Sequence, residues 1–175
     1  MIQIDIKKRM MFVLEEDYYF ITIKLLTILS GLECNKKTFV DYRKLSLIFE
    51  IIKDNKNMEL LNKIINKKDL DLFDNEQLLK LFCNSNMNIS VFKRILFFLE
   101  KQDIVILEKN NRFSCIDVKL LHNEAINDLL KQEIMSDDFK RVKIINKFIS
   151  RICSLKFESL QTKIFGYSEV SKWED

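Results

Sequence analysis

The chain has 175 residues, of which 47% are hydrophobic and 31% are charged, and its formal net charge is +3. This balance excludes an intrinsically disordered protein and is sufficient for one domain with a substantial core. So small a net charge does not by itself indicate an anionic partner.

Cysteine and histidine usage argues against a metal centre. The four cysteines, Cys34, Cys83, Cys115 and Cys153, lie far apart, and His122 is the only histidine. A zinc site needs clustered soft ligands, so none is expected. The thiols are predicted to be buried apolar groups in a reducing cytosol. No apolar run has the length of a membrane span, and we expect a cytoplasmic protein without a membrane partner.

The N-terminal part of the chain predicts two helices. Residues 2–14 fit either a short strand or a helical lead-in. From residue 15 onwards the acids stand at the start and Gly31 stands where a left-handed cap is needed, which predicts a helix ending there. A second helix is predicted to begin at Thr38, with Asp41 as the acid of a short capping box.

Apolar residues of the second predicted helix, between positions 40 and 52, cover more than half of its circumference. A helix with so wide an apolar surface is either a central core helix or a contact surface. Residues 57–66 predict a third, shorter helix.

Residues 74–118 carry the pattern of a winged helix-turn-helix. Asp74 is predicted to open a helix, and the polar segment 84–88 is predicted to form a turn before another helix. A following apolar run, the pair Asn110-Asn111 and a partly alternating run predict a β-hairpin. Helix, turn, helix and hairpin follow each other in this order in winged helices.

The predicted fold is mainly α with a small β-hairpin, in which a winged helix-turn-helix core carries additional N- and C-terminal helices. It forms a single domain over residues 1–175, with the winged-helix unit at about 74–118 and helical extensions at 15–66 and 119–165. The last extension is read as two helices and a short final one near 159–165.

Sequence motifs for catalysis are lacking. The two glycines, Gly31 and Gly166, cannot form a phosphate-binding loop of the Walker or Rossmann type. No nucleophile elbow accompanies His122, which is interpreted as a surface or helix-end residue. We therefore predict no enzyme activity, no cofactor and no small-molecule ligand.

Three carboxylates, Asp69, Asp71 and Asp74, lie close together in sequence. Converging acids are what a metal-dependent nuclease requires, which keeps a divergent nuclease as an alternative. A linker and helix-capping role explains them more simply.

Basic residues mark two candidate surfaces for DNA or an acidic protein. The first is the outer face of the second winged-unit helix together with the wing: Lys93, Arg94, Lys101, Lys109 and Arg112. The second is a stripe along a later helix: Lys140, Lys143, Lys147 and Arg151. A merely solvated face has the same spacing, and the spacing does not separate DNA from an acidic protein.

An aromatic residue, Phe97, lies among the cations of the first surface. It could contact a thymine methyl group, anchor a protein interface, or be covered by a preceding helix.

The order of elements resembles a known group of proteins. An early helix, YYFITIKLLTILSGL, precedes FVDYRKLSLIFEII, and NISVFKRILFFLEKQDIVILEKNNRF precedes a helical tail. This layout, with Asp41-Tyr42 before an aliphatic helix, resembles the middle components of ABC-three-component, Lamassu-type bacterial defence systems and the winged-helix accessory subunits of SMC-like complexes. The resemblance implies a non-enzymatic subunit that bridges an SMC/Rad50-like ATPase and an effector, often a nuclease, in anti-phage or anti-plasmid defence.

Two functional hypotheses follow. The first is an accessory subunit, with Tyr42, Phe49 and Phe97 as candidate protein contacts and the two basic surfaces contacting acidic protein or double-stranded DNA. The second is a stand-alone homodimeric winged-helix transcriptional regulator, because a single winged helix reads few bases.

Overall fold

The computed structural model describes residues 18–121, 128 and 133–166, and side chains from residue 136 onwards in the last segment. Within these residues the chain is mainly helical with one two-stranded antiparallel sheet. The predicted segment 2–14 and His122 lie outside the described residues. The elements are α1 (18–31), α2 (Lys44–Ile52), α3 (Asn55–Ile65), α4 (Leu72–Lys101), β1 (Val105–Asn110), β2 (Cys115–Leu120), α5 (Glu133–Phe148) and α6 (Phe157–Phe165).

Helix α2 is the centre of the core. All nine of its residues are buried, and it packs against α3, α4 and α5. Its polar side chains are satisfied internally: Lys44 Nζ donates to the carbonyls of Ile152 (2.6 Å) and Cys153 (3.1 Å), and Glu50 Oε1 accepts from Asn88 (3.0 Å). Of the two interpretations of this apolar helix, the central core helix is confirmed.

Helix α4 is continuous over 30 residues, so the predicted turn at 84–88 is wrong. Ser85 is fully buried and its hydroxyl donates to the Phe82 carbonyl (2.9 Å), while Asn88 reaches Glu50 of α2. These contacts satisfy the polar groups that would otherwise compete with the helix backbone. Tertiary packing therefore overrides the turn propensity of this segment.

The start of α4 is also earlier than predicted. Asp71, and not Asp74, is the N-cap, and the two form a capping box in which each side chain accepts the other's backbone N–H. Asp74 additionally binds Lys63 Nζ at 2.7 Å. The capping interpretation of these two carboxylates is confirmed, whereas Asp69 is exposed.

The β-hairpin is confirmed, with Asn110 paired to Cys115 across a four-residue loop instead of a turn centred on Asn110-Asn111. A further strand residue was not predicted: Phe39 pairs with Val118 through two backbone hydrogen bonds of 2.8 Å.

This pairing overturns the helix start predicted at Thr38. Asp41 has a left-handed φ of 64°, and α2 begins only at Lys44. The Asp41 carboxylate accepts from the backbone N–H of Arg43 (3.2 Å) and of Phe157 (3.3 Å), the first residue of α6. Asp41 thus ties the strand segment to α6 and is not part of a capping box with Thr38.

Gly31 does not adopt the predicted left-handed cap; the residue with positive φ after α1 is Glu33 (57°). A Cβ at Gly31 would lie 2.7 Å from Val142 Cγ1 of α5. The glycine is required for the close approach of two helices and not for a turn.

Helix α5 begins before Asp138, which lies inside it, is buried and forms an ion pair with Lys24 of α1. The helix ends at Phe148. Arg151 stands beyond that end with a φ of 59°, so the prediction that it continues the Lys140–Lys147 stripe is wrong. The final helix is confirmed and starts two residues earlier than predicted, at Phe157. In the described residues no helix is both long and apolar enough to cross a membrane.

Candidate protein-docking face

A shallow apolar groove of about 520 Å³ lies between α1 and the C-terminal half of α4. Its α1 wall includes Tyr18, Tyr19 and Leu26, and its α4 wall includes Arg94 and Phe98. Ile104, at the start of the hairpin, closes one end. We call this feature the docking groove.

Exposed aromatic rings extend the apolar surface beyond the docking groove. Phe98 is 59% exposed and Tyr19 is 64% exposed, although Leu99 beside them is buried. Helix α1 leaves the Phe98 ring uncovered. Clustered exposed aromatics of this kind mark interaction sites more often than single exposed apolar residues do.

Among the described residues of the docking-groove wall, Arg94 is the one that carries a charge. Among the described residues it forms neither an ion pair nor a hydrogen bond. The closest acid along α4, Glu100, instead accepts the backbone N–H of Leu107 (3.2 Å). An unpaired guanidinium at an apolar wall is suited to a carboxylate from another molecule.

Phe97 is 41% exposed, so none of the preceding helices that the structure describes covers it. Lys93 Nζ lies 6.0 Å from the centre of its ring. Lys93, Arg94 and Lys101 are all exposed on the same half of α4, as predicted. The sequence missed the α1 side of this face, because nothing local signals which helix will lie beside α4.

One of the predicted protein-contact residues, Phe49, belongs to the interior instead, and a second, Tyr42, is partly buried. Phe49 is 5% exposed and packs edge-on against Phe92 of α4, with ring centres 5.4 Å apart. Its assignment as an interface residue is wrong, because α4 covers that face of α2. Tyr42 is half-buried against the core, and burial raises its pKa.

The remaining predicted cations are exposed but lie on other elements. On the hairpin, the Arg112 guanidinium stacks on the Phe113 ring at 5.0 Å, and Lys109 is free of such a contact in the described residues. On α5, Lys140 pairs with Asp137 (3.1 Å) and Lys143 lies 4.7 Å from the centre of the Phe139 ring. Lys147 is exposed on the same helix.

Three of the four cysteines are buried as predicted, and Cys83 is exposed. Among the described residues no group of three or more histidine, cysteine, aspartate or glutamate side chains is arranged to hold a metal ion.

No protein-family model, no curated protein and no solved structure matches this chain.

Proposed function

We propose that this chain is a non-catalytic accessory subunit that binds a larger complex through the docking groove. The observation that carries the proposal is an apolar, aromatic-rimmed groove whose wall includes Arg94, which has no ion-pair partner within the described part of the chain. A surface of this composition gains free energy when a partner covers its apolar area. The resemblance to Lamassu-type middle components supports an SMC/Rad50-like ATPase or its effector as the larger partner.

The chemistry of the groove favours an amphipathic partner helix that carries a carboxylate. Apolar side chains at helical spacing would fill the space between α1 and α4, and the carboxylate would pair with Arg94. Lys93 and Lys101 nearby reinforce the preference for negative charge. Self-association through this face is disfavoured, because a two-fold interface would bring the same cations from both copies together.

The proposal includes a winged-helix core, but the elements that form it are not those of residues 74–118. Its elements would be α1, the strand residue Phe39, α2, the C-terminal half of α4, and the β1–β2 hairpin. The pairing of Phe39 with Val118 supports this reading, since a short strand beside the wing follows the first helix in such folds. Helix α3 and the first half of α4 would then be additions between the second and third core helices.

The test is affinity purification of the tagged chain from its native host through a moderate-salt wash, with mass spectrometry of the proteins that co-elute. We expect a large ATPase with a coiled-coil arm, or its effector. Phe98→Ala and Arg94→Glu should each remove that partner. Met87→Ala, near the middle of α4 where the side chain is 76% exposed, is the matched control and should retain it.

The proposal fails if the wild-type protein elutes alone, or if the partner is retained equally by Phe98→Ala and Met87→Ala. Circular dichroism of each variant checks that its helices remain intact.

A second candidate is a homodimeric winged-helix DNA-binding regulator. Exposed cations on α4 and on the hairpin, Lys93, Arg94, Lys109 and Arg112, favour it. DNA binding by the pure protein should then weaken steeply as salt rises, because phosphate contacts release counterions. Charge reversal of Lys109 and Arg112 should reduce DNA binding but leave capture of a protein partner unchanged, which separates the two candidates.

A further inference from the structure

Two cysteines distant in sequence face each other beneath the end of α1. Cys34 is fully buried just after α1, and Cys153 is 8% exposed in the turn between α5 and α6. The Cys153 thiol donates to the carbonyl oxygen of Leu32 at 3.7 Å, two residues before Cys34. The two thiols lie close enough for each to shift the pKa of the other.

A buried ammonium group holds the turn that carries Cys153. Lys44 is fully buried, and its Nζ donates to the carbonyls of Ile152 and Cys153. The backbone N–H of Val40 donates to the same Cys153 carbonyl at 2.8 Å. These bonds fix the backbone on which the Cys153 thiol is mounted, next to Cys34.

We propose that Cys34 and Cys153 form a reversible intramolecular disulfide when the protein meets hydrogen peroxide. The proposal is independent of the docking function. The Cys153 thiolate attacks one peroxide oxygen, the O–O bond breaks, and the released hydroxide takes a proton to become water. Cys34 sulfur then attacks the resulting sulfenic acid, the S–O bond breaks, and the oxygen leaves as a second water with the Cys34 proton. Two thiols are oxidised and one peroxide is reduced.

The environments of the two thiols fit these different roles. The pKa of Cys153 is lowered to about 7, chiefly by the hydrogen bond from Cys34 and also by Lys44 and Lys37, against the effects of burial and of Glu33. A thiolate is the reactive form of cysteine. The pKa of Cys34 is raised, chiefly by the same hydrogen bond, which keeps its proton in place until the second step. Cys153 is also the more exposed of the pair, so peroxide reaches it first.

The other two cysteines provide internal controls. Burial, with Asp41 and Asp117 nearby, raises the pKa of Cys115 to about 11, so its thiolate is scarce. Cys83 is exposed on α4. Neither is paired with a second thiol among the described residues.

The experiment uses the full chain and its Cys83→Ser/Cys115→Ser variant, each reduced, treated with hydrogen peroxide, quenched with catalase, and alkylated after denaturation. We expect both proteins to lose two hydrogens in intact mass and to leave Cys34 and Cys153 unalkylated. Peptide mapping should find the Cys34–Cys153 cross-link, and dithiothreitol should restore both alkylations. In Cys34→Ser the sulfenic acid has no resolving thiol, so dimedone should label Cys153.

The inference is overturned if Cys34 and Cys153 remain alkylatable while Cys83 of the wild-type chain is oxidised in the same sample. Cross-linked dimers on a non-reducing gel, with either cysteine of the pair in an intermolecular bond, also overturn it. Because the wild-type chain alone yields the cross-linked peptide, the result does not depend on whether Cys34→Ser folds.

Discussion

Helix α2 and the C-terminal half of α4 are both strongly apolar, yet they differ in what covers them. Every residue of α2 is buried, because α3, α4 and α5 enclose it. The other helix buries Phe92 and Leu96 but leaves Phe97 and Phe98 at the surface. Apolar content therefore identifies a helix whose surface must be covered, whereas the neighbouring elements decide whether the chain itself covers it.

The largest effect on stability is expected in α2, where every residue is buried. Phe49→Ala should lower the free energy of unfolding by about 3–5 kcal/mol, because it removes a buried ring that packs on Phe92 and leaves a cavity. Urea denaturation measures the change. Phe49→Leu, which keeps most of the volume, should cost clearly less; an equal loss in the two variants would contradict this account of the site.

The second-largest loss of stability is expected from removing the Asp41 carboxylate, which binds Arg43 and the backbone of Phe157. Asp41→Ala removes the acceptor for the backbone N–H of Phe157 and the partner of Arg43, whose terminal nitrogen lies 2.6 Å from the carboxylate. We expect a loss of about 2–3 kcal/mol in urea denaturation, less than for a fully buried pair because Arg43 is partly exposed.

Asp41→Asn is the matched control, because asparagine also tolerates the left-handed backbone and keeps an acceptor oxygen. It should retain a substantial part of the stability. If it is as unstable as Asp41→Ala, the charge and not the acceptor geometry dominates.

Gly31→Ala tests the close approach of α1 and α5. Alanine favours a helix over glycine by about 1 kcal/mol, so stabilisation would be expected if the site were open. The new methyl group would instead meet Val142, and we expect destabilisation of about 1–3 kcal/mol in thermal unfolding. Adding Val142→Ala should make the Gly31→Ala change less harmful; strict additivity would argue against the contact.

The buried Lys44 predicts a dependence of stability on pH. Burial lowers its pKa from 10.5 to about 8. Between these values the unfolded chain binds a proton that the folded chain lacks, so this group makes stability rise with pH, by at most about 1.4 kcal/mol per pH unit. Urea denaturation of wild type and Lys44→Met from pH 7 to 10 should show a stability difference that changes over this window. A constant difference would show that Lys44 stays protonated.

The smallest effect on stability is expected on the uncovered helix face. Phe98→Ala should change the free energy of unfolding by only about 0.5 kcal/mol, because the ring is mostly exposed. A stability loss comparable to that of Phe49→Ala would show that the ring is covered in solution, and the contrast between the two helices would not hold.

Local signals predicted the elements but not their partners. The hairpin follows from alternation and turn residues. Helix α3, predicted at 57–66, forms at Asn55–Ile65 with Asp54 as its N-cap. The break at 84–88 was mispredicted because asparagine and serine favour turns locally, whereas Asn88 finds a buried acceptor 38 residues earlier, on α2. No local pattern could place Phe39 against Val118.

For the same reason, the sequence predicted the α4 side of the docking face but not the α1 side. The outward cations of α4 follow from helical spacing, so Lys93, Arg94 and Lys101 were found. The wall formed by Tyr18 and Tyr19 depends on how α1 crosses α4, a contact between segments about 75 residues apart that periodicity does not encode.

The uninterrupted course of α4 has a mechanical consequence. At about 1.5 Å per residue, its 30 residues form a rod roughly 45 Å long without glycine or proline. Exposed apolar side chains stand at both ends: Leu72 and Phe73 at one and Phe98 at the other. Two partners bound at opposite ends would be kept at a fixed distance. Because the helix has no hinge, a movement of one partner would displace the other.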